Sequence, residues 1–137
     1  MEAETRKNVV RRFNKEVIEE GRRASFLELM DESFVNRSAP DGAPNGPESI
    51  WNTFEKVLRP ALGGLKVEIH EQLCDGDRVV TRKCISGTHT GSLMGLAATD
   101  MPVVIDVIDI VRVHGGRYVE HLGINTLTAV LSQLRAG

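Results

Sequence analysis

Val-Val-Ile-Asp-Val-Ile-Asp-Ile-Val-Arg-Val (103–113), His-Gly-Gly (114–116) and Arg-Tyr-Val-Glu-His-Leu-Gly-Ile-Asn (117–125) decide the fold. β-Branched residues dominate the first run, and glycines mark a reversal into the second. A strand that is nearly apolar on both faces needs cover on both: helices or a cavity on one side, and a further layer, such as a second subunit, on the other. The stretch therefore predicts a sheet that cradles a pocket.

Working outward, the period-two pattern extends upstream. Residues 66–73 and 78–87 read as two further strands, joined by a hairpin turn at Asp75-Gly76-Asp77. Residues 91–102 form a looser connection. Before position 65 the period is helical. Val9, Val10, Phe13, Val17 and Ile18 share one face of a helix over residues 3–20 that stops at Gly21. Ser25 with Glu28 reads as a capping box opening a short helix through Phe26, Leu27, Leu29 and Met30. The run 36–47 is rich in Pro, Gly and Asn and reads as a loop. Pro47 opens a third helix, with Ile50, Trp51, Phe54, Val57 and Leu58 on one face, and Pro60 and Gly63-Gly64 end it. Leu127, Val130, Leu131 and Leu134 close the chain on a short helix. Helices followed by antiparallel strands give an α+β fold, a single domain over residues 1–137, with helices packed on one face of a curved sheet.

With 137 residues, 41% hydrophobic, and a net charge of −2, the chain has neither a disordered composition nor the clustered basic face that nucleic acid requires. Its charged start (Glu2, Glu4, Arg6, Lys7) and the lack of an apolar run of ~18 residues predict no signal peptide and no membrane span, hence a cytoplasmic protein. Cys74 and Cys84 are the only cysteines and are read as reduced thiols. Without a CxxC or a nearby His they do not suggest zinc, and Asp75-Gly76-Asp77 lacks the further oxygen ligands of a calcium loop. No metal and no cofactor are expected.

Several segments carry a family resemblance: Phe34-Val35-Asn36, Gly76–Arg82, Gly87-Thr88-His89-Thr90-Gly91, Ile108–Arg112, Gly116–His121 and Gln133-Leu134. Together they make the chain similar to the SnoaL-like polyketide cyclase and ester cyclase group of the nuclear-transport-factor-2-like superfamily. The resemblance implies a cone-shaped α+β barrel: a curved, mostly antiparallel sheet with the N-terminal helices on its concave face. It also implies a small-molecule pocket, with isomerase, cyclase, hydrolase or binding activity. Members often carry a His where this chain has Arg37, and a Trp where it has Leu122. Ring-closing members place an acidic residue just beyond that point, whereas this chain has only Gly123, Asn125 and Thr126. The Asp-Arg-Asp set of the epoxide-hydrolase branch aligns with Lys83, Ile85 and Gly123, so that mechanism is not expected.

Alternation assigns faces. Val103, Ile105, Val107, Asp109, Val111 and Val113 point inward, as do Val119, His121, Gly123 and Asn125, together with Thr81 and Lys83. A three-residue turn at 114–116 would set Asp109 directly opposite His121. Arg82, Arg112 and Glu120 fall on the outer face, where Arg82 and Glu120 could pair. Two readings of Asp109 and His121 stand. In one, Asp109 orients His121 and favours its charged form, making it a general acid/base in an apolar pocket. In the other, the pair is a satisfied polar contact within the sheet. Asn125 is either a donor to a carbonyl or enolate oxygen or a strand-end cap. Lys83 is an anion-attracting group or a solvated lysine. Trp51 and Phe54, with Ile105 and Val107, are expected to form the pocket's apolar wall; for Trp51 and Phe54, whose evidence is helical spacing, the other reading is ordinary core packing. His89, on a glycine-bracketed loop, is expected in an exposed structural position, with the pocket rim as the other reading.

The first functional expectation is a cofactor-free enzyme moving a proton on a compact hydrophobic carbonyl compound, of cyclase, isomerase or lyase type. The alternative is a non-catalytic protein that holds such a ligand. A third possibility is a purely structural, dimerising partner. In all three a homodimer is expected through the even-numbered face of 103–113: Val104, Ile108 and Ile110, with Asp106 and Arg112.

Overall fold

The computed structural model describes residues 2–137. The β-rich half forms β2 (Leu62–Asp75), β3 (Arg78–His89), β4 (Pro102–His114) and β5 (Arg117–Asn125), consecutive antiparallel neighbours in one curved, open sheet. A fifth strand, β1 (Met30–Asn36), pairs parallel with β5, giving the order β1-β5-β4-β3-β2. The sequence reading ended a helix at Met30 and so missed this strand. Only Met30 and Phe34 are buried in it, which leaves a short edge strand with little period-two signal.

The predicted first helix is present as α1 (Ala3–Arg12), which continues into a π-helical segment, Phe13–Glu19, before Gly21 stops it at φ +69°. The short α2 (Arg23–Leu29) follows. It begins before Ser25, so no capping box forms. Ser25 Oγ instead donates to Glu16 Oε1 at 2.7 Å, and Glu28 pairs with Arg12 at 2.7 Å, tying α2 back to the first helix. The third helix starts at Pro47 as expected. It runs as α3 (Pro47–Asn52), a π-helical segment Thr53–Leu58, and a last turn α4 (Arg59–Ala61). The helix ends at Ala61, one residue past Pro60, and the chain passes directly into β2. Gly63 and Gly64 lie just beyond that end. They lie in β2 at a register shift between Gly63 and Lys66, where a Cβ on Gly63 would sit 2.9 Å from Thr90 Oγ1. α5 (Leu127–Ala136) closes the chain.

The helices cover the concave face of the sheet, and the core lies between them: Val10, Phe13, Val17, Ile18, Phe26 and Leu29 against Phe34, Ile85, Ile105, Val111 and Tyr118. The Phe13 and Tyr118 rings stack with centroids 4.2 Å apart. No helix among the described residues is long and apolar enough to cross a membrane. The opposite face of the sheet is open. Val104 (54%), Ile108, Ile110, Leu122 and Ile124 (71%) stand exposed there.

The β4–β5 turn differs from the expectation and moves the site residues. It has two residues, Gly115 and Gly116, both at positive φ, so His114 pairs with Arg117. A bulge then inserts Val119 between Tyr118, opposite Val113, and Glu120, opposite Arg112. Tyr118 is therefore the buried residue, not Val119. From His121 onward the odd residues face inward as predicted, but His121 lies opposite Val111 and Asp109 opposite Gly123.

Candidate functional site

A cavity of about 400 Å³ opens between the concave face of the sheet and the helices. Its walls are apolar: Phe13 and Ile18 from the first helix, Ile50, Phe54, Val57 and Leu58 from the third, and Ile85, Ile105 and Val107 from the sheet. Both π-helical segments contribute to it. The wider turn brings extra side chains onto one face, a distortion recurrent at functional sites.

One connected polar group interrupts this lining. Lys83 Nζ donates to Asn14 Oδ1 at 2.6 Å and lies 3.3 Å from Asp109 Oδ2. His121 Nε2 lies 3.4 Å from the same Oδ2. On the far side of the ring, His121 Nδ1 is 3.1 Å from Asn36 Oδ1, which also accepts the Ser38 amide N–H at 3.1 Å. Because that oxygen is an acceptor for Ser38, Nδ1 must carry hydrogen and donate to it. Nε2 is thereby left facing Asp109. Burial alone would raise the Asp109 carboxyl; the Lys83 charge, followed by the nearby His121 ring, outweighs it and holds the group below its ordinary value. Asp109 Oδ1 is buried without a hydrogen-bond partner. Tyr118 borders the cavity too, and burial, then the Asp109 charge, pushes its phenol well above the usual range.

The diagonal meeting of Asp109 and His121 depends on the residue between them. A Cβ on Gly123 would lie 3.1 Å from Asp109 Cβ and 3.2 Å from His121 Nε2. The missing side chain is the space into which the imidazole leans.

Of the residues predicted from sequence, His121, Asp109, Phe54, Lys83, Ile105, Val107 and Asn125 all line the cavity. Trp51 and Thr81 do not. Trp51 lies against Phe26 at 5.1 Å, beneath the Arg23 and Arg59 guanidinium groups. The π turn beginning at Thr53 breaks the regular helical phase that put Trp51 and Phe54 on one face. Thr81 is on the inward face but too deep. It accepts from Gln72 Nε2 at 3.3 Å, and the same amide reaches the Lys7 carbonyl of α1. Asn125 acts as a cap, its Oδ1 accepting the Leu127 N–H at 2.9 Å, with its Nδ2 left at the rim.

Two further expectations fail. His89 is not on an exposed loop but fully buried at the end of β3, its Nδ1 2.9 Å from Thr99 Oγ1, because the 99–101 segment folds back over it. Arg82 and Glu120 do not pair, since β4 separates their strands. Arg82 binds Glu71 at 2.8 Å, and Glu120 binds Arg112 at 3.3 Å. Sequence reasoning also missed Asn14, Asn36, Ser38 and Tyr118. A signal existed for Asn14, a polar residue in register with Val10, Phe13 and Val17 on an apolar stripe.

The sequence profile of the SnoaL-like polyketide cyclases matches residues 8–134. The chain belongs to the SnoaL-like polyketide cyclase family. TsrD from Streptomyces laurentii superposes with a TM-score of 0.86 at 18% identity, covering 100% of this chain and 99% of that one. A protein of Jannaschia sp. CCS1 proposed to be a SnoaL-like polyketide cyclase superposes at 0.83 with 22% identity, covering 98% and 94%. IdmH from Streptomyces antibioticus, a proposed polyketide cyclase, gives 0.79 with 23% identity over 95% and 98%. Identities this low establish a shared SnoaL-like fold. No curated protein matches the chain. The family supports a function on small molecules of cyclase or isomerase type.

Proposed function

We propose that this SnoaL-like protein is a cofactor-independent acid/base enzyme acting on a compact, largely apolar carbonyl compound, with His121 as the proton carrier. The observation that carries the reading is the imidazole held from both sides, Asn36 fixing Nδ1 and Asp109 facing Nε2, at the wall of an apolar cavity. Nε2 takes a proton from the carbon next to the substrate carbonyl, and the Asp109 carboxylate stabilises the resulting imidazolium. The electron pair moves onto the carbonyl oxygen. Tyr118, kept neutral by burial, and the Asn125 Nδ2 are the available donors to that enolate oxygen. Return of the proton at another carbon completes an isomerisation; attack of the enolate carbon on a second carbonyl, with the proton delivered to the new alkoxide, completes a ring closure. Lys83 is a positioning residue that keeps Asp109 ionised.

The test is exchange of the α-hydrogens of small 1,3-diketones in D2O, followed by NMR. Wild-type protein accelerates the exchange, and His121→Ala removes about 10²–10⁴-fold of that acceleration. Asp109→Asn also slows it. Equal rates for wild type and His121→Ala would overturn the mechanism. A second reading, non-catalytic binding of such a compound, draws on the absence of a carboxylate at Gly123, Asn125 and Thr126. It predicts a ligand recovered unchanged from native mass spectrometry. In either case we infer a homodimer through the exposed apolar row of β4 and β5.

A further inference from the structure

We propose that Glu68, His70 and Cys84, on the outer face of the sheet and away from the cavity, bind a zinc-type divalent cation. Their donor atoms, a carboxylate oxygen, an imidazole nitrogen and a sulfur, lie within 4.8 Å of one another. Ligands on a tetrahedral zinc with bonds of about 2.0–2.3 Å stand roughly 3.3–3.8 Å apart, so rotamer adjustments of about 1 Å bring the three onto one ion. The mixed N/O/S set suits zinc, and not magnesium or calcium.

Local sequence spacing gives no hint of this group; the sheet builds it across strands. Cys84 pairs with Glu68 on β2 and with Asp106 on β4, so a thiol lies between two carboxylates in a single row. His70 joins them from the irregular step in β2 between Ile69 and Glu71. Neither Glu68 nor Asp106 has an ion-pair partner among the described residues, and the neighbouring Arg82 is committed to Glu71. Glu68 and Asp106 therefore flank the Cys84 thiol with negative charge that no ion pair offsets among the described residues. A divalent ion reverses the balance, since one carboxylate and one thiolate offset its charge while His70 binds as neutral imidazole. His70 and Asp106 also open onto a shallow hollow of about 370 Å³, which leaves space for Asp106 or water as a fourth ligand.

Cobalt(II) titration of the purified full-length protein under reducing conditions tests this. The expected result is one cobalt per chain, with a near-ultraviolet thiolate-to-cobalt charge-transfer band that zinc displaces. Cys84→Ser abolishes the band, Cys74→Ser leaves it intact, and His70→Ala weakens binding at least tenfold. Zinc raises the melting temperature of wild type but not of Cys84→Ser. Absence of a charge-transfer band in wild-type protein would overturn the proposal, as would a band that survives Cys84→Ser or wild-type affinity in His70→Ala.

Discussion

At the scale of single residues, the candidate site turns on one absence, the side chain of Gly123. Opposed residues on antiparallel strands ordinarily meet directly, and Asp109 has no side chain opposite it on β5. His121, two positions away, fills the gap. Gly123→Ala therefore pushes the imidazole off Asp109 without opening the core. The expected outcome is at least a tenfold fall in kcat for α-hydrogen exchange, with KM and the thermal midpoint little changed, measured by steady-state kinetics and calorimetry. An unchanged kcat would separate the ring's position from its chemistry. Asn36 has a complementary part, since its oxygen serves both His121 and the Ser38 amide and so selects the imidazole tautomer.

At the scale of elements, the first helix and α2 are joined by Glu16, which binds Arg12 at 2.9 Å and Ser25 at 2.7 Å. Arg12, then Ser25, lowers its carboxyl from 4.5 to about 2. A carboxyl whose folded value lies below its unfolded one adds stability that is complete above about pH 4.5 and disappears as the pH falls toward 2. Glu16→Gln lacks that term throughout. The gap between wild type and variant in urea midpoint should thus be widest near neutral pH and narrow on acidification. These elements also show what the sequence could convey. Helical and period-two patterns located four of the five strands, both long helices and the inward face of β4, because each buries a regular stripe. The π segments, the edge strand β1 and the Val119 bulge left no periodic mark. The bulge is a single extra residue, the π turns shift the helical phase locally, and β1 buries only two residues, so the stabilisation of each comes from tertiary packing. That is why Asp109 and His121 were foreseen on one face, while their diagonal geometry, and the displacement of Trp51, were not.

At the scale of the whole molecule, the sheet has one face closed by helices and one bearing Val104, Ile108, Ile110, Leu122 and Ile124 in the open. An apolar row of this kind on a chain with a net charge of only −2 favours self-association. Light scattering at micromolar concentration should give a dimer for wild type and a monomer for Ile108→Lys combined with Leu122→Lys, with the far-ultraviolet circular dichroism of the two alike. A wild-type monomer would remove the case for this face as an interface. The parallel seam between β1 and β5 has a further consequence, in time as well as in space. It joins Asn36 to His121, and the Arg37 amide to the His121 carbonyl, across most of the chain's length. The β2–β3 and β4–β5 hairpins close short loops and can form early, whereas this seam requires a long loop to close first. During refolding, the protein would become compact before it acquired an oriented imidazole, so proton-transfer competence would arrive last.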